Sequence, residues 1–179
     1  MKFFKTKLFI FLIFFSQLSF SKVHLESYLG YSFTLMDANF LNKNSFHGLT
    51  PGLRLGYSSL GLATGVDFNV GIWKPFDWKK PLSYSSDFVT PVFLGLFLSY
   101  KLPLFFRVYS TVIPMVLNLT DKNSSFYCES NTQALKIGFS YLSLPFLSIN
   151  FEWLPMYRGG EKNCRGFSHT VSISGNVIF

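Results

Sequence analysis

The sequence predicts an all-β protein, an eight-stranded antiparallel up-and-down transmembrane β-barrel of meander topology, and three observations carry that prediction. Apolar residues alternate with small or polar ones at period two from Val23 to the end, which is the signature of strands and not of helices. Aromatic residues make up 20% of the chain and charged residues only 14%, against roughly 25% charged in soluble domains. Water would have to accept that excess of apolar surface, whereas lipid accepts it freely. Finally, the connections alternate between very short turns and longer polar segments, as in a barrel with periplasmic turns and extracellular loops.

The first 21 residues stand apart from this pattern. Lys2, Lys5 and Lys7 precede an apolar run from Leu8 to Phe15 and a small-residue site at Ser19-Phe20-Ser21, the order of a secretory signal peptide. The run is shorter than the ~20 residues a membrane-spanning helix needs, and no Cys near the site could carry a lipid. Losing the three leader lysines takes the formal net charge from +7 to +4. No basic run addresses nucleic acid.

Residues 22–179 are therefore expected to form one barrel domain, with strands at 24–35, 50–57, 62–72, 90–100, 104–112, 132–141, 147–153 and 170–179. The third shows the logic: its even positions are mostly apolar and its odd ones small or polar. Short turns fall at 58–61, 101–103 and 142–145, and long loops at 38–48, 74–87, 120–131 and 156–167. Lipid admits no open sheet edge, so the last strand must close on the first. Tyr57, Tyr100, Tyr141 and Phe179 end alternate strands on the apolar face and read as the periplasmic aromatic girdle. Trp73, Trp153 and Trp78 fall toward the opposite rim.

The hairpin from Gln133 to Tyr141, through the turn ending in Pro145, to the strand at 147–153 resembles one from the small outer-membrane barrels of the OmpA/OmpX type. The closing strand 171–179, ending in Phe179, is similar to the C-terminal signal by which such barrels are recognised. The resemblance covers the chain beyond the leader. It implies a Gram-negative outer-membrane location, contact with lipid and lipopolysaccharide, recognition by the barrel assembly machinery through Phe179, and a monomer. A soluble lipocalin shares the strand number and meander. Its outward face, however, would here consist of Gly52, Gly56, Ala63, Gly65, Gly71, Gly95, Ala134, Gly138, Ser140 and Ser148, a poor solvated exterior but a good lining for a narrow, filled lumen.

By parity Glu26, Arg54, Asp67, Arg107, Lys136 and Glu152 face that lumen, three of each sign. Arg54 can sit between Glu26 and Asp67, and Lys136 lies between the strands of Arg107 and Glu152. The expected arrangement is a paired interior network; the alternative is a switchable gate in which exchange of partners opens a water path, as proposed for barrels this chain resembles. Inward Phe93, Phe97 and Tyr109 would argue for a plug. Cys128 and Cys164, in the third and fourth long loops, are expected to form an extracellular disulfide in an oxidising compartment. Trp73, Lys74, Phe76, Trp78, Lys79 and Lys80 form an aromatic and basic loop patch suited to an anionic lipid surface or an external ligand.

His24, His47 and His169 are scattered, without metal-ligand spacing, and no cofactor is implied. His169 is the one candidate for a lipid A-modifying enzyme. Val171 stands where a deacylase would carry Ser on the same face, while Ser168 and Ser172 lie on the other. The function expected is thus that of a non-enzymatic outer-membrane barrel serving envelope integrity or surface interaction through its loops. A narrow channel for ions or small solutes is the alternative, and a lipid A enzyme comes third.

Overall fold

A computed structural model describes residues 22–36, 45–76, 88–119, 131–144, 147–159 and 166–179. The leader, Trp78, Lys79, Lys80, Cys128 and Cys164 lie outside the described residues. Each alternating run forms a strand: β1 (Lys22–Met36), β2 (Ser45–Ser59), β3 (Leu62–Val70), β4 (Ile72–Phe76), β5 (Pro91–Lys101), β6 (Phe106–Asn118), β7 (Asn131–Leu144), β8 (Leu147–Gly159) and β9 (Gly166–Ile178). β3 and β4 are halves of one strand. Gly71 separates them, yet the register against β2 runs on unchanged, from Gly52↔Asn69 to Leu49↔Ile72.

The result is a closed antiparallel meander of eight strands. Each strand pairs with the next, and β9 returns to β1 from Glu26↔Ile178 to Met36↔Ser168. Leu25 and Phe179 extend the closure by donating to each other's carbonyls, at 3.4 and 2.8 Å. The first and last strands are thus paired with each other and not left as open edges, as a lipid environment demands.

Polarity is inverted relative to a soluble domain. Along β9, Val171 and Ile173 are exposed while Ser172 and Ser174 are buried, and along β5 Leu94, Leu96 and Leu98 face outward while Phe93 and Phe97 face inward. Tyr57, Tyr100, Tyr141 and Phe179 stand outward at one end of the barrel, and Trp153 stands outward further up.

The strands run further than alternation alone suggests. β2 starts at Ser45, β6 reaches Asn118 and β8 reaches Gly159, so Gly48, Lys74, Phe76 and Met156, expected in loops, belong to strands. Pairing is a backbone property and continues where the outer rim mixes polar and apolar side chains. Leu104, expected to open a strand, sits in a turn. The turns at this end are tight. Leu60 and Gly61 both have positive φ (51° and 83°), as do Leu104 and Phe105 (63° and 67°), which is the requirement of a type I′ hairpin turn.

One expectation is overturned. Trp73 does not join the outer aromatic belt or a loop patch: it is a strand residue, 1% exposed, inside the barrel. Its odd position in the β3–β4 strand, shared with Asp67 and Asn69, directs it inward. The indole lies 5.8 Å from the Phe93 ring and donates to Thr50 Oγ1 at 3.3 Å, so its polar N–H is satisfied, as a buried Trp requires.

Candidate functional site: the filled lumen

The interior is layered. Nearer the turns, a polar and charged layer crosses the lumen, and above it Phe46, Trp73, Val89, Phe93, Ile113, Ala134, Leu154 and Met156 form an apolar cluster. The lower layer arises because the six inward charges come from strands all round the barrel, on a circumference small enough for their side chains to meet. All are 6% exposed or less.

Arg54 is the hub. Its guanidinium donates from Nη1 to Glu26 Oε1 at 3.2 Å, from Nε to Asp67 Oδ2 at 3.2 Å and from Nη2 to Glu152 Oε1 at 2.8 Å. Two of these partners are its direct cross-strand neighbours, Glu26↔Arg54 and Arg54↔Asp67; the third reaches across from β8. Arg107 forks onto Glu26, with Nη1 to Oε2 at 2.6 Å and Nη2 to Oε1 at 2.7 Å. Such bidentate charge-assisted pairs are the strong ones. Lys136 spans the lumen to Asp67 Oδ2 at 2.8 Å and leaves the neighbouring strand's Glu152 to Arg54, Tyr109 and Ser172.

Sequence reasoning weighed Tyr109 as inward filling but not as a partner of the charges, and it missed Tyr28, Thr111, Asn176 and His24 as members of this layer. Tyr28 donates to Asp67 Oδ1 at 2.6 Å, and Tyr109 donates to Glu152. The two rings sandwich Arg54, whose Cζ lies 4.8 Å from the Tyr28 centroid and 4.1 Å from that of Tyr109. Each ring lies over a cross-strand glycine, Tyr28 over Gly52 and Tyr109 over Gly138, where any Cβ would collide with it. Thr111, Asn176 and His24 complete the hydrogen bonds of Asp67 and Glu26. The parity that places Glu26 inside also places Tyr28 there, so that signal was available; the pairing with glycine needed the register.

His169 stacks on Trp153 with centroids 6.0 Å apart on the outer face. Val171 shares that face, whereas Ser168 and Ser172 are buried on the other. Lys74 Nζ lies 4.8 Å from the Phe88 ring, and Phe76 packs edge-on against His47 at 5.4 Å. The loop patch is thereby divided: Trp73 is inside, Lys74 and Phe76 are at the strand end, and the rest lies outside the described residues.

No protein-family model matches the chain, and no curated protein sequence does. Among solved structures it is similar to Neisserial surface protein A, NspA, at 16% identity and a TM-score of 0.57, over 89% of this chain and 99% of that one. The chain has the fold of a small outer-membrane β-barrel. A de novo designed transmembrane β-barrel is also similar, at 12% identity and a TM-score of 0.48, over 87% of this chain and 95% of the design. In this barrel the chemistry on view is electrostatic and steric. Carboxylates and cations neutralise each other across the lower lumen, and rings block the upper lumen.

Proposed function

We propose that the protein is a non-enzymatic barrel of the bacterial outer membrane, closed to solutes, whose work lies in envelope integrity or surface interaction through its extracellular loops. The carrying observation is the filled interior. The six charges are paired among themselves, and Trp73, Phe93 and Ile113, each 1% exposed or less, occupy the layer above them. An eight-stranded lumen is only wide enough to be filled by its own side chains.

The outward leucines, valines and aromatics support residence in lipid, and the resemblance to Gram-negative barrels supports the outer membrane as the site. Phe179, 72% exposed at the end of the closing strand, is placed for recognition by an assembly machinery. Against a lipid A enzyme stands the outer-face geometry: among the described residues, Phe167, Val171 and Ile173 share the outward face of the closing strand with His169 while its serines face inward, and a base must reach the proton it removes.

Planar-bilayer recording of the refolded protein tests the reading. We expect no discrete conductance steps from material that a heat-modifiable gel shift shows to be closed. Reproducible steps that change in Arg54 or Lys136 variants would make the narrow-channel alternative primary.

A further inference from the structure

The six lumen charges cancel one another, yet cations continue beyond them toward the tight turns. A cavity of about 440 Å³ opens at that end of the barrel. Lys22 and His24 from β1, Lys101 from β5 and Arg107 from β6 line it, together with Ser58 and Ser99. Among the described residues no aspartate or glutamate does. Arg107 and His24 are buried on its inner side, where Arg107 Nη1 donates to Glu26 Oε2 at 2.6 Å and His24 Nε2 lies 3.2 Å from the same oxygen. Lys22 and Lys101 are exposed.

Lysines that serve only to meet lipid headgroups lie on the outward face and snorkel toward the interface. These two do not. Lys22 shares its face of β1 with His24 and Glu26, and Lys101 shares its face of β5 with the buried Ser99, so both are directed into the mouth. Lys101 is also the direct cross-strand partner of Arg107, and like charges set opposite each other on one face destabilise a sheet. Glu26 answers Arg107, but no described carboxylate is paired with Lys101 or with Lys22. Two positive charges in excess are thereby gathered in a concavity with protein walls, where low dielectric focuses their field.

We propose that this mouth is a binding site for a phosphate group, held by the ammoniums of Lys22 and Lys101, with the hydroxyls of Ser58 and Ser99 as further donors. Phosphate suits the site better than a carboxylate. It carries up to two negative charges near neutral pH and offers acceptor oxygens on several sides, whereas a carboxylate brings one charge to two cations. The cavity has the volume of roughly fifteen waters, so the ion enters with part of its hydration. Two sources share this chemistry, free phosphate and the headgroup of an anionic phospholipid bent over the rim. The site lies at the turn end and goes beyond the loop functions proposed above.

The refolded full-length protein is placed in phosphatidylcholine nanodiscs at neutral pH and titrated with inorganic phosphate at constant ionic strength, with the phosphorus NMR linewidth of the ion as readout. We expect broadening that saturates, that is lost in K22Q/K101Q and that persists in K43Q/K122Q, which removes the same charge elsewhere in the sequence. S58E, which sets a carboxylate opposite Lys22, should also abolish it, and serves if K22Q/K101Q fails the heat-modifiable gel shift. In nanodiscs with admixed phosphatidylglycerol, suppressed binding of the added ion supports the site with a lipid headgroup as occupant, and unchanged binding supports it with the free ion. Absence of saturable broadening in the parent overturns the site. So does broadening that survives K22Q/K101Q or S58E, or that is lost equally in K43Q/K122Q.

Discussion

Three carboxylates from three strands share one guanidinium, that of Arg54. Its removal leaves Glu26, Asp67 and Glu152 buried with fewer counter-charges, and breaking a buried pair in this way costs about 3–5 kcal/mol. We expect Arg54→Ala to lower the unfolding free energy by that order, read from urea titrations in lipid vesicles. Arg54→Lys should recover only part of it, because an ammonium lacks the planar fork that serves three acceptors at once. Equal stability of Arg54→Ala and the parent would mean that the network fills space without holding the fold. At this scale the sequence was informative about direction and about the neighbours of Arg54, namely Glu26 and Asp67, but not about partners across the lumen. Parity placed all six charges inside; which cation meets which carboxylate depends on strand-to-strand register and lumen width, so Lys136 bonds Asp67 across the barrel while Glu152 falls to Arg54.

Hairpin turns set the next level, and one of them is strained. Leu104 and Phe105 are consecutive left-handed residues with ordinary side chains, and that conformation costs about 1–2 kcal/mol for each non-glycine residue. Asn-Gly suits such a turn. L104N/F105G should therefore raise the unfolding free energy by about 2 kcal/mol, visible as a higher urea midpoint with an unchanged slope. A lower midpoint would show that the exposed Leu104 and Phe105 contribute more by anchoring in the membrane interface than their backbone costs. Element existence and facing were legible from alternation, as β9 illustrates with serines inside and branched residues outside. Element ends were not. The ladder outlasts the pattern at Ser45 and Gly159, and the slip at Pro114 moves the inward positions of β6 from odd to even, a change that no period-two reading contains.

For the molecule as a whole, closure is achieved among the described strands, each paired on both sides over most of its length. Replacing 77–87 and 120–130 with short Asn/Gly connectors should consequently leave the heat-modifiable gel shift intact. Any loss of surface binding would then be assigned to the loops, where exposed function tends to concentrate. Collapse of the shift would assign those loops a structural role. Trp73 marks the limit of composition at this scale: an aromatic counted toward a belt proved to be part of the filling, because a belt is defined by facing and not by residue type. The β1–β9 seam also fixes an order of events. Glu26 is bonded by Arg54, 28 residues away, by Arg107, 81 away, and by Asn176, 150 away. Contacts that close longer loops bear a larger entropic cost and form late. Glu26 can therefore meet Arg54 on the adjacent strand while the sheet is still an open ribbon. Arg107, four strands along the meander, comes within reach only as the ribbon curls, and Asn176 only once the last strand has docked on the first, so the completion of one carboxylate's coordination reports that the cylinder has shut.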